Sequence, residues 1–134
     1  MKKFLLLFII ISLPAIGSEV IDKRKKMFQA NKDHMRFIYK AIQSGNIDPI
    51  INGAIAIEQF ASVMPEYFPE GSESRDASDN IWSDFNGFMK LAKANQEAAE
   101  QLKIAAQEGE IAELNSYFNE LSNTCKSCHR SYKN

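Results

Sequence analysis

The sequence predicts an all-α protein, an antiparallel four-helix bundle, and three observations lead there. Apolar residues recur at steps of three and four over most of the chain. No segment shows the period-two alternation of a half-buried strand. Turn-forming residues divide the chain into four helical stretches joined mostly by short connections, the pattern that packs neighbouring helices antiparallel.

The first stretch reads as a targeting segment and not as part of the fold. Lys2 and Lys3 form a basic start, Phe4 to Leu13 is apolar apart from Ser12, and Pro14-Ala15-Ile16-Gly17-Ser18 closes it with small residues. Ala15 and Gly17 fit a small-x-small cleavage site, so residues 1–18 are expected to be a signal peptide removed on export. The apolar run is shorter than the ~20 residues a bilayer-spanning helix needs, so no membrane anchor is expected after cleavage. What remains is about 117 residues, enough for one domain with one core over residues 19–134. The full chain carries a net charge of -1, and losing two lysines makes it more acidic. That balance gives no sign of nucleic-acid binding.

From Ile21 to Ile42, Ile21, Met27, Phe28, Met35, Ile38 and Ile42 share one broad face. Arg24 and Asn31 lie on the same stripe. An inward-facing Arg needs an anionic partner; the alternative is that it snorkels to solvent from a helix end. Gly45 and Asn46 stop this helix. Asp48 as cap and Pro49 in the first turn open the second, whose apolar face is Ile50, Ile51, Ala54, Ile57, Ala61 and Met64 before Pro65 ends it. Residues 65–80 form the one long connection, which Phe68 is expected to pin to the core; loops of this length are often functional. A third helix is expected over 79–108, with Ile81, Trp82, Phe85, Phe88, Met89, Ala92, Leu102 and Ala105 inward and Gly109 as its breaker. The last is expected over 110–132. There Ile111, Leu114, Phe118, Leu121, Cys125, Cys128 and Tyr132 alternate at three and four, as along a heptad seam.

That seam carries the chemistry. Cys125-Lys126-Ser127-Cys128-His129 is C-x-x-C-H, the attachment pattern of a c-type haem. Two thiols three residues apart each reach one vinyl group of the same porphyrin, and the following His sits where its imidazole ligates iron. Competing readings are a redox dithiol or half a zinc site. Zinc takes about four ligands, whereas the chain has two Cys and only one other His, His34. A redox pair of this kind usually accompanies a βαβ pattern, which is missing. One haem c held inside the bundle near the end of the last helix follows, and a propionate would then answer Arg24. Haem of this type is attached outside the cytoplasm in bacteria, in agreement with the leader. The polypeptide alone should show a hollow beside Cys125 and Phe28.

Over its whole mature length the sequence resembles the bacterial cytochrome c′ family. The resemblance is carried by Arg24 early in the first helix, Phe68-Pro69-Glu70-Gly71-Ser72 in the long loop, the Ile81-Trp82 pair, and the C-terminal motif followed by Tyr132 and Lys133. It implies that Cys125 and Cys128 hold the haem, that His129 is the axial iron ligand, that Arg24 and Lys25 contact a propionate, that Asp76 and Lys133 lie near the haem, and that Trp82 packs on its edge. It also implies that Phe28, one turn beyond Arg24, covers the remaining iron face. Methionine-ligated relatives of this bundle carry Met at that helix position; here Met27 stands one residue away, about 100° around the helix. Family members are commonly homodimers through the first two helices.

Two functions follow. The first is a periplasmic protein with five-coordinate high-spin iron that binds small neutral gases, NO and CO, and transfers electrons to an unidentified redox partner. The second is a low-spin electron-transfer cytochrome with Met27 as sixth ligand. A third, haem-free reading is a structural or copper-handling bundle that uses Cys and Met. No nucleophile–base or acid/base pair is placed for turnover, so no catalytic residue is assigned and an enzyme is not expected.

Overall fold

The computed structural model describes residues 16–134. Apart from residues 16–18, the segment read as a leader therefore lies outside the described residues. Among the described residues there are five α-helices: α1 (Ile16–Ser44), α2 (Ile47–Val63), α3 (Asn80–Ser83), α4 (Phe85–Glu108) and α5 (Leu114–Tyr132). The four long ones form the bundle. Contacts run in opposite senses along each neighbouring pair. Phe28 of α1 meets Phe60 of α2, while Ile38 meets Gly53; Tyr132 of α5 meets Phe88 of α4, while Asn95 meets Thr124. Among the described residues no helix is long and apolar enough to cross a membrane.

Three boundaries differ from the sequence reading, each for a local reason. The third helix is broken at Asp84, whose backbone leaves the helical region (φ -130°, ψ 54°) so that its carboxylate accepts from the Gly87 amide and caps α4. α2 starts at Ile47, which puts Asp48 and Pro49 inside the first turn, where backbone N–H groups have no helical partner to lose. Residues Ile111–Glu113 form a 3₁₀ turn before α5, which leaves Ile111 52% exposed and off the seam. Met89, also expected inward, is exposed on α4. Gly109, at φ 77°, closes α4 in the left-handed region that a side chain disfavours.

The core divides along the bundle. One end is aliphatic and closely packed around Ile38, Ile50, Ala54, Ile57, Ala99, Leu102, Leu114 and Leu121. Small residues let the helices approach: a Cβ on Gly53 would stand 2.7 Å from the Ile38 side chain. The other end is aromatic: Phe60 meets Phe28, Phe28 meets Phe68, Phe68 meets Phe88 and Phe88 meets Tyr132, each edge to face. There the helices spread, and α1 touches α5 far less than α2 touches α4.

Candidate cofactor site

At the aromatic end a cavity of about 620 Å³ opens between α1, α4, α5 and the long loop, within the size range of small-molecule and cofactor sites. α5 contributes Thr124, Cys125, Cys128, His129 and Tyr132, and α4 contributes Phe88, Leu91, Ala92 and Asn95. Arg24, Lys25, Phe28, Asn31 and Met35 come from α1. Arg24, Phe28, Asn31 and Met35 recur at helical spacing on one stripe, and Lys25 stands about 100° round from Arg24 at its edge. The hollow expected beside Cys125 and Phe28 is present. Asp76 and Lys133 also line it, so Arg24, Lys25, Phe28, Asp76, Cys125, Cys128, His129 and Lys133 are gathered on one cavity. Met27 does not line it; it packs against the aromatic cluster. Trp82 does not line it either. Its indole N–H donates to the Phe68 and Pro69 carbonyls at 3.1 Å each, which ties down the loop.

Burial sets the state of the thiols. Both cysteines are free and half-buried. Desolvation pushes Cys125 up from the ordinary thiol value against hydrogen bonds from Thr124 and Asn95, and pushes Cys128, beside Cys125, to about 11. At neutral pH both stay protonated, which is poor chemistry for a redox dithiol or a thiolate metal ligand. Among the described residues no group of three or more His, Cys, Asp or Glu could hold a metal ion. His129 shifts the other way: burial and then the Lys133 charge lower its pKa, which favours the neutral imidazole that can donate a lone pair to a metal.

Arg24 is 3% exposed. Its guanidinium donates to Tyr67 O (3.3 Å), Ser72 Oγ (3.0 Å), Ser72 O (2.7 Å) and Ser74 Oγ (2.9 Å), and lies 4.5 Å over the Phe68 ring. All four acceptors are neutral, and none of the ion pairs among the described residues includes it. Burial lowers its pKa, and Glu73 partly opposes this. A buried cation at a cavity wall, with loop oxygens but no paired carboxylate, suits an acidic group on a ligand. Asp76 is exposed and pairs with Arg75 at 3.6 Å, which moderates its charge at the rim.

Sequence reasoning missed Asn95. It is 5% exposed and donates to Thr124 Oγ1 (2.8 Å) and Cys125 Sγ (3.6 Å). The signal was available: one Asn interrupts the apolar row Ala92, Asn95, Ala99, Leu102. Met64 and Met35 were placed on apolar faces, yet nothing in their spacing separates a cavity wall from ordinary core. Asp84 was missed as a partner of Tyr132, whose hydroxyl donates to it at 2.8 Å.

Mostly apolar walls, two nearby thiols, one imidazole and a buried guanidinium suit a covalently held porphyrin with acidic substituents. The family model described as Cytochrome C′ matches residues 19–133. A cytochrome c′ of Rhodospirillum rubrum is 30% identical over 118 residues, covering 84% of this chain and 80% of that protein. The structure of cytochrome c′ from Thermochromatium tepidum superposes with a TM-score of 0.80 at 24% identity, covering 87% of this chain and 95% of that one. A nitric oxide complex of a variant cytochrome c prime from Alcaligenes xylosoxidans gives a TM-score of 0.80 at 22% identity, covering 90% and 98%.

Proposed function

The chain belongs to the cytochrome c′ family, whose cofactor is a covalent c-type haem, and from that premise we propose that it is an exported, periplasmic haem protein that binds small neutral gases at a five-coordinate iron. Cys125 and Cys128 hold the porphyrin as thioethers. His129 would supply an imidazole to the iron, and Lys133 would help to keep it neutral. Arg24 and Lys25 answer the propionates. When bound, the haem supplies an iron that takes up a diatomic ligand and can change oxidation state.

The observation that carries this reading is which α1 side chain lines the cavity: Phe28 does and Met27 does not. A phenyl ring cannot ligate iron, so Phe28 would crowd a bound iron without taking a coordination place on it. The ring donates no hydrogen bond, and bound O₂ gains from such donors while NO and CO depend on them less. Relatives solved with nitric oxide share this fold. Electron transfer to a redox partner remains compatible with the same site, and homodimerisation through α1 and α2 with exposed residues there such as Phe37 and Tyr39.

The visible spectrum of the exported ferrous protein, with and without CO, tests this. We expect a broad high-spin Soret band that shifts on adding CO. A sharp low-spin α-band indifferent to CO would instead put Met27 or another ligand on iron.

A further inference from the structure

We infer that Phe60, which does not line the cavity, is a positioning residue that sets how readily a gas displaces Phe28; this rests on the gas-binding reading above. Phe28 and Phe60 meet edge to face, with ring centroids 5.1 Å apart and planes at 88°. Phe68 also meets Phe28, at 6.3 Å, but Phe68 is itself part of the cavity wall and so stands beside Phe28. Phe60 is off that wall, so it stands behind. Its own position is firm: it is 1% exposed and also meets Tyr67, at 5.9 Å. Phe68 is fixed in turn by Phe88 at 4.8 Å and by the Arg24 guanidinium. A ring pushed out of the cavity therefore has to press against Phe60 in a close-packed interior, where displaced volume must go somewhere. Phe28 decides whether the iron is crowded, and Phe60 decides how far the crowding yields.

The test is the CO association rate of the ferrous holoprotein, measured by stopped flow. Phe28→Ala should raise it strongly. Phe60→Leu, which removes the ring edge but keeps the site apolar, should raise it roughly three- to tenfold, the factor that corresponds to losing one edge-to-face pair. Phe60→Met, closer in volume, gives a second variant if Leu folds poorly. In a Phe28→Ala background either Phe60 change should leave the rate unmoved, because nothing remains to brace. Equal acceleration in both backgrounds would mean that Phe60 only loosens the bundle, and the inference falls. No acceleration from Phe60 variants while Phe28→Ala speeds binding also overturns it and leaves the gas-binding reading standing. If neither wild type nor Phe28→Ala binds CO, the reading itself fails and takes the inference with it.

Discussion

Replacing Arg24 by Met keeps most of the side-chain volume and removes the fork that holds the long loop. Four oxygens lose a donor. Tyr67 O and Ser74 Oγ are only partly buried and can turn to water, and Ser72 Oγ keeps its own bond to Pro69 O at 2.7 Å. Ser72 O is different, since the residue is 0% exposed and its 2.7 Å bond to Arg24 has no substitute among the bonds described. An unsatisfied buried carbonyl costs about 1–3 kcal/mol, and the lost stacking on Phe68 adds up to about 1 kcal/mol. Removing a buried charge returns part of this by ending its desolvation. The balance is a loss of about 2–3 kcal/mol, which for a domain of this size lowers Tm by roughly 10 °C. Thermal unfolding of the holoprotein followed by far-UV circular dichroism measures it. Amide exchange in the loop after Tyr67 should accelerate in the same variant. A Tm change under about 3 °C, with loop protection intact, would show that Trp82 alone anchors the loop and that Arg24 serves only the ligand.

Gly53→Ala should destabilise by about 1–2 kcal/mol in urea, because the new methyl meets Ile38 at 2.7 Å in the tight end of the core and overpacking outweighs the gain in helix propensity. Tyr132 is held at about 12, first by burial and then by its bond to Asp84. A raised folded-state pKa means that its contribution is intact below the ordinary tyrosine value of about 10 and drains away as pH climbs toward the folded value. Urea midpoints of the wild type should therefore fall between those pH values by more than those of Tyr132→Phe; parallel curves would refute the assignment. Haem-free chain made with Cys125→Ala and Cys128→Ala should keep helical far-UV signal but lose near-UV dichroism and bind a hydrophobic dye. A cavity of about 620 Å³ without its occupant leaves the apolar side chains that line it short of packing partners. A cooperative, dye-silent apo form would refute the view that the cofactor completes the core.

How much of this was legible depends on whether a residue's role is set locally. The fold was legible because four apolar stripes have nowhere else to go, and so was the gathering of Cys125, Cys128 and His129 on one wall, because their spacing on one helix sets it locally. Arg24 was half legible. Its place on an apolar stripe announced a buried cation, but its loop partners Ser72 and Ser74 lie 48 and 50 residues away, and no local pattern encodes such a pairing. The break at Asp84 was hidden for the same reason. The run Ile81, Trp82, Phe85, Phe88 fits one helix, and only the bond from Tyr132 and the amide of Gly87 make leaving the helix favourable there. Ile111 shows the converse error, an apolar residue in register with a seam that its own turn does not join.

The two halves of the core explain how one bundle can be both tight and hollow. Ala54, Ala99, Ala105 and Gly53 draw the helices together at the aliphatic end. At the other end large rings replace them, and rings meeting edge to face hold helix backbones apart without filling all the space between. The opening falls between α1 and α5, which touch less than the neighbouring pairs α1–α2, α2–α4 and α4–α5, and the two sides of the chemistry lie on them: thiols and imidazole on α5, guanidinium and Phe28 on α1. Motion of α1 against α5 would change the crowding at the site without disturbing the attachment. What limits that motion is the loop, since Arg24 binds it from α1, while Ser78 N bonds Tyr132 O and Asn80 bonds Ser131 O at the end of α5. The long connection thus sets the width of the cavity from outside, as Phe60 sets its yield from behind.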